Sequence, residues 1–297
     1  MVLIDGGSFL MGSDEFYPDE RPVHERDVRS FSIDRYEVTN EQYAEFVDST
    51  GYVTVAEREL DPAAFPGADP ASLVPGSMVF TPSAGPVDLN DWRNWWTWTP
   101  GAFWRRPFGP GSSIADRMQH PVVHVAFEDA LAYAGWAGLR LPTEVEHEYA
   151  ARGGLDGARF AWGEEIYPDG TAQANSWLGR FPYDNQGVGG TAPVGSYPAN
   201  GYGLYDMVGN VWEWTSDYYT PRHLRLSDKP VDAGKRQNLL ATASAQPEFP
   251  EIARRVLKGG SHLCSPDYCL RFRPAARSPQ AEDTGMSHIG FRCARDA

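Results

Sequence analysis

Thirty glycines and 24 prolines scattered through this chain of 297 residues leave little room for long regular elements. Glycine admits left-handed backbone and proline withdraws a donor, so a chain punctuated this often folds through turns. The same sequence carries 14 phenylalanines, 14 tyrosines and 10 tryptophans against 22% charged residues. That many large rings can bury a sizeable core while the backbone wanders. The expectation is an irregular, loop-rich globule with little regular helix, and the length suits one large compact domain or two fused ones.

Charge narrows the partners. Twenty-six basic against 40 acidic side chains give a formal charge of -14, which disfavours nucleic acid and anionic membrane surfaces as partners. No stretch approaches 18 uncharged apolar residues, and Met1-Val2-Leu3-Ile4-Asp5-Gly6 has neither a basic start nor a long apolar run. A soluble, cytoplasmic, monomeric protein is expected. Its three cysteines, Cys264, Cys269 and Cys293, stand late in the chain and are too few to staple a fold of this size.

Local signals place three helices. Thr39 with Gln42 forms a capping box ahead of Tyr43, Phe46 and Val47, with Gly51 as terminator. A second helix is predicted from Phe127 to Ala137, with Ala130, Leu131 and Ala134 inward and Gly138 ending it. A third begins at Thr143, boxed by Glu146, and stops at Gly153-Gly154. Beyond residue 154 only turns and short strands are predicted, with residues 221–255 as a polar surface excursion. Between the first two helices, Trp92, Trp95, Trp96, Trp98 and Trp104 must pin a long segment to the core or line a groove.

Three constellations bear chemistry. Cys264-Ser265-Pro266-Asp267-Tyr268-Cys269 sets two thiols around a turn-forming Pro-Asp pair. Without a second pair or a histidine cluster a tetrahedral zinc site is unsupported. Two thiolates suit Cu(I), a reversible disulfide, or two inert buried thiols. Lys258, Arg271, Arg273 and Arg277 would lower the thiol pKa values if close. In Tyr205-Asp206-Met207-Val208-Gly209-Asn210-Val211-Trp212-Glu213-Trp214, Asp206 and Glu213 flank turn carbonyls at Gly209 and Val211, hard oxygens of the kind calcium takes. Asn175, the Ser176 carbonyl and the acidic-amide run Asp184-Asn185 offer a weaker second set. None of the seven histidines stands in a zinc-protease or zinc-finger spacing. His124 and His147 read as structural, while Ser287 and His288 are expected to face the cysteine segment. Hydrolase-elbow, phosphate-loop and dinucleotide fingerprints are absent from the sequence.

Several separated motifs then resemble the formylglycine-generating enzymes, or sulfatase-modifying factors, over nearly the whole length. They include Gly6-Gly7-Ser8-Phe9-Leu10-Met11-Gly12, Glu37-Val38-Thr39-Asn40, His120-Pro121-Val122-Val123-His124-Val125, Arg140-Leu141-Pro142-Thr143-Glu144, Gly209-Asn210-Val211-Trp212-Glu213-Trp214 and Gly290-Phe291-Arg292-Cys293. The resemblance implies one compact α+β domain spanning residues 1–297, loop-rich with little regular secondary structure and related to C-type-lectin-like folds. It implies an oxidase that uses O2 and a thiol reductant to convert a cysteine, in an unfolded sulfatase segment of the Cys-x-Pro-x-Arg type, to Cα-formylglycine. Carried over residue by residue, Cys264 and Cys269 would hold Cu(I), with Ser261, Trp212 and Tyr268 lining the pocket. Arg277, His288, Ser287 and Trp104 would meet the peptide. Asp206, Gly209, Val211 and Glu213 would hold one structural Ca2+, and Asn175, Ser176 and Asp184 a second. The rival readings are an iron sulfoxide synthase of the ergothioneine type, whose HxxxHxE pattern is missing, and a non-catalytic binding module on the same scaffold.

Overall fold

The computed structural model describes residues 1–64, 67, 69, 73–223 and 233–297. Its N-terminal part runs β1 (Val2–Ile4), β2 (Gly7–Met11), β3 (His24–Val28), β4 (Phe31–Ile33), α1 (Asn40–Thr50), β5 (Gly76–Phe80) and β6 (Trp96–Pro100). Two helices follow, α2 (Phe127–Trp136) and α3 (Glu144–Arg152), then the short strands β7 (Gly179–Arg180) and β8 (Asp184–Asn185). The C-terminal part holds β9 (Trp212–Tyr218), α4 (Ala233–Ser244), β10 (Arg254–Lys258), β11 (Arg277–Ala281), β12 (Ile289–Gly290) and β13 (Ala294–Asp296). Among the described residues no helix is long and apolar enough to cross a membrane.

The capping signals act as read. Thr39 Oγ1 accepts the Gln42 N–H while Gln42 Oε1 accepts the Thr39 N–H, and Thr143 and Glu146 repeat the arrangement on α3. Gly51 and Gly153, at φ 69° and 57°, close these helices in left-handed backbone that glycine adopts without strain. On α2 the inward face is Ala130, Tyr133 and Ala134, whereas Leu131, expected inside, is 45% exposed. At about 100° per residue Leu131 lies roughly a quarter turn from the centre of that stripe.

Helix α4 corrects the expectation of turns and strands alone after residue 154. It carries no apolar stripe, and Leu239 on it is exposed. Its end is fixed by Ser244, whose Oγ accepts the Arg254 N–H at 2.9 Å and donates to the Ala241 carbonyl. The excursion predicted for 221–255 is therefore anchored at its C-terminal half; residues 224–232 of it lie outside the described residues.

The central sheet has the order β11-β10-β9-β12, antiparallel except for the short parallel pair β9–β12. A smaller sheet β1-β4-β13 and three hairpins complete it. The core gathers Tyr43, Phe46, Trp104, Tyr133, Trp214 and Phe291, and Trp214 Nε1 donates to the Val125 carbonyl at 2.9 Å. The tryptophans divide between both roles expected of them: Trp95 and Trp104 are buried anchors, whereas Trp92 and Trp98 stay exposed. Sheet and core together hold the segment after β10 rigid, and that segment carries the thiols.

Candidate active site

After β10 the chain turns through Gly259 and Gly260, at φ 89° and 75°. A Cβ on Gly260 would lie 2.6 Å from the Arg271 carbonyl oxygen, so only glycine lets the outgoing and returning strands of the cysteine loop meet. Within the loop the Cys269 N–H donates to the Ser265 carbonyl at 2.8 Å, and the Ser265 hydroxyl bonds the Asp267 carboxylate. This turn brings the two sulfurs to 3.7 Å. That exceeds the roughly 2.05 Å of a disulfide, and all three cysteines are free thiols.

The two thiols are not equivalent. Burial pushes the Cys264 thiol up, but the Cys269 S–H, the Ser261 N–H at 3.4 Å and the Arg271 guanidinium outweigh it and hold Cys264 below the ordinary thiol value. Cys269, donating to that sulfur and itself buried, is pushed well above its ordinary value. The pair therefore shares a single proton over a wide pH range. Thiolate ultraviolet absorbance is expected to rise by one equivalent per chain before the ordinary thiol range, the second appearing only far above it. Burial also holds Cys293 protonated, so it stays silent. Cys269→Ala should shift that first step upward, because the donor that favours the Cys264 thiolate is then gone; an unshifted step would contradict the assignment.

Aromatic rings wall the thiols. Tyr268, 39% exposed, stacks on Phe181 at 4.4 Å and meets Trp95 edge-on. Phe181 packs on Phe80, Phe80 on Trp96, and Trp96 on His288 at 4.7 Å. His288 thus stands at the far end of a ring path from Tyr268, partly buried and with Nδ1 enclosed and unbonded. Ser287 Oγ accepts the Phe80 N–H and lines a cavity of about 320 Å3 together with His262, two residues from Cys264. Ser261 is fully buried, and its Oγ accepts the Leu263 N–H. Trp212 is buried in the cluster that includes Cys264.

Two residues expected at the peptide are elsewhere. Trp104 is 1% exposed, packed on Tyr43 and capped by Arg105 at 4.2 Å, so it belongs to the core. Arg277 is also 1% exposed and forms a bidentate pair with Glu144 at 2.7 and 3.0 Å. Its third nitrogen donates to the Asp19 and Thr220 carbonyls, leaving no face for a ligand. Lys258 is likewise engaged, on Glu148. The basic residues that do act on the thiols are Arg271 and Arg273.

Those two arginines expose a part of the site that sequence reading missed. Arg271 lies 4.0 Å over the Tyr17 ring and pairs with Asp19, while Arg273 pairs with Glu20 at 2.6 and 3.0 Å. Tyr17 Oη accepts the Leu270 N–H. The short segment between β2 and β3 therefore buttresses the cysteine loop from about 250 positions away in the chain. The alternation Arg271-x-Arg273 was the one available signal.

Asn210, at φ 56°, ties the second constellation to the first. Its backbone N–H donates to the Asn175 carbonyl, its Nδ2 to Glu37 at 2.7 Å, and its carbonyl receives both the backbone N–H and Nδ1 of His262. Gly209 is required beside it, since a Cβ would stand 2.6 Å from the Asn175 oxygen. Burial, with the mutual repulsion of Glu37, Asp206 and Glu213, raises the carboxyls of Glu37 and Asp206. The resemblance puts a cation here, yet among the described residues no group of three or more such side chains is placed to hold one. The fit is uneven: Asp206 accepts the Gly195 N–H, and both Glu213 oxygens already receive Arg292, one of them also His147. At the weaker set, Asn185 Oδ1 and the Ser176 carbonyl both face Gly187. Asn185 Oδ1 is itself engaged, accepting the Leu178 and Gly187 N–H groups.

The family model for the sulfatase-modifying factor enzyme 1-like domain matches residues 1–297. The chain is 59% identical over 299 residues to the formylglycine-generating enzyme of Mycobacterium tuberculosis, covering 100% of this chain and 97% of that protein. It is 39% identical over 307 residues to the mouse protein named inactive C-alpha-formylglycine-generating enzyme 2, covering 86% of it. Among solved structures, PvdO from Pseudomonas aeruginosa shares the fold with a TM-score of 0.62 at 23% identity, over 100% of this chain and 94% of that one. By sequence and fold alike, the chain belongs to the sulfatase-modifying factor enzyme family.

Proposed function

We propose that this protein is a formylglycine-generating oxidase: it takes a cysteine in an extended Cys-x-Pro-x-Arg segment of an unfolded sulfatase and converts it to Cα-formylglycine with O2 and a thiol reductant. The family includes a relative named inactive, so membership alone does not carry the reading. The observation that carries it is the free, turn-closed pair Cys264 and Cys269 at 3.7 Å, with the Cys264 thiol held below its ordinary value, beside the partly exposed Tyr268.

Two sulfur donors and no third ligand suit Cu(I), a soft ion content with low coordination number. Among the described residues no cluster of three or more histidine, cysteine or acidic side chains competes for a metal. Bound copper would supply the one-electron chemistry that lets O2 oxidise a thiolate lying against it. The chain's own residues do the rest. Cys264 gives up its proton more readily than an ordinary thiol, which eases metal binding to its sulfur. The Ser261 N–H orients the Cys264 sulfur, and the wall of Tyr268, Phe181 and Trp95 keeps water from that side. His262, pushed by burial down to about 4, stays neutral and donates Nδ1–H to Asn210. It adds no positive charge near an incoming arginine-bearing peptide.

The test is incubation of copper-loaded protein with a Cys-x-Pro-x-Arg peptide and trapping of the aldehyde with an aminooxy reagent. An aldehyde that forms only with copper and O2 is expected; unchanged cysteine under all conditions would overturn the oxidase. Calcium belongs to the proposal at the set built on Asp206, and the Asn175 set is the weaker of the two. Chelation should lower the melting temperature by several degrees, since an ion at about a hundred times its Kd contributes roughly 2.7 kcal/mol. An unmoved transition would exclude a structural ion. Three unpaired thiols fit a reducing compartment, and we place the protein in the cytoplasm as a monomer.

A further inference from the structure

A cavity of about 480 Å3 opens between the segment after α1, the β5–β6 hairpin, the segment after α4 and the end of β11. It is distinct from the thiol loop and has no part in the chemistry above. Leu60, Leu73, Trp98, Phe249 and Ile252 line it. Trp98 and Phe249 are 38% and 60% exposed, large apolar side chains that this fold leaves facing water together.

Two further observations say what would cover them. The first is charge. Asp283 stands in the wall, and Glu59, Asp61, Glu248 and Glu251, all exposed, adjoin wall residues in the chain. Among the described residues no lysine or arginine lines the cavity, while the nearby Arg58 and Arg255 are held by Glu128 and Glu282. The second is continuity. Trp98 lies two residues along β6 from Trp96, whose ring rests on His288. The two positions share a strand face about 7 Å apart, a spacing an extended peptide matches residue for residue. Ser287 N–H donates to the Met78 carbonyl and its Oγ accepts the Phe80 N–H, so β5 and the His288 segment are hydrogen-bonded side by side.

We propose that this groove is a second docking site for the unfolded protein substrate. It would take a stretch flanking the modified cysteine that presents a large apolar side chain beside lysine or arginine. The inference rests on the proposed function in that it assumes a polypeptide substrate. Apolar burial would supply affinity and the acidic rim selection against acidic segments.

The test uses fluorescence anisotropy with labelled peptides whose motif cysteine is serine, so that binding is read without turnover. One peptide spans only the motif; the second extends it at both ends with leucine flanked by arginine; the third carries glutamate in place of those flanking arginines. The extended basic peptide should bind on the order of tenfold tighter than the short one, and the glutamate version should show no gain. Phe249→Lys and Asp283→Lys, both at exposed positions that leave folding intact, should each remove most of the gain and leave short-peptide binding unchanged. Equal affinities for short and extended peptides, or variants that behave as the parent, would overturn the proposal. The two readings fail separately. A protein that gains affinity at the groove yet converts no cysteine sinks the oxidase; one that converts the short peptide without gain from extension sinks the groove.

Discussion

Cys264→Ser and Cys269→Ser are each expected to lose Cu(I) binding and peptide conversion together, by well over a hundredfold. Loss of a group that merely supports a metal ligand already costs about 10- to 100-fold in affinity, and here one of only two sulfur donors is gone. Serine keeps the volume, so the turn closed by Cys269 N–H on Ser265 should persist and the folded state should survive. Cys293→Ala is the matched control: Cys293 lies fully buried in the core, and its loss should leave metal binding intact at some cost in stability. Equilibrium titration with Cu(I) against a competing chelator checks all three. Retained binding and turnover in either serine variant would show that the pair does not hold the metal.

The second large effect concerns stability. Arg277→Met leaves Glu144, buried at the start of α3, as an uncompensated charge, which typically costs 3–5 kcal/mol. Domains of somewhat smaller size lose roughly 2–4 °C per kcal/mol, so the melting temperature should fall by on the order of ten degrees. The double variant Arg277→Met with Glu144→Leu should recover a large part of that loss, because neither charge is then stranded. Thermal unfolding followed by circular dichroism decides the matter. An unchanged melting temperature with a raised KM for peptide would return Arg277 to the substrate-binding role that the resemblance implied.

The contrast between these two predictions shows what could be read from the residues. The cysteine turn was legible because Pro266 and Asp267 act locally, within the five positions that separate the sulfurs. Helices α1 and α3 were legible for the same reason, through capping boxes that close over three residues. Helix α4 offered neither cap nor stripe. Trp104 and Arg277 carried the right chemistry for a peptide site, yet burial is decided by the topology and not by side-chain type. The buttress of Tyr17, Asp19 and Glu20 needed knowledge that the β2–β3 segment returns to the cysteine loop, which no local pattern encodes.

Copper-edge X-ray absorption on the Cu(I)-loaded protein tests the central claim most directly. The account expects a first shell of two sulfur scatterers and nothing lighter, rising to three sulfurs when a cysteine-bearing motif peptide is added. Nitrogen or oxygen scatterers at the metal, or a spectrum unaltered by Cys264→Ser, would contradict it.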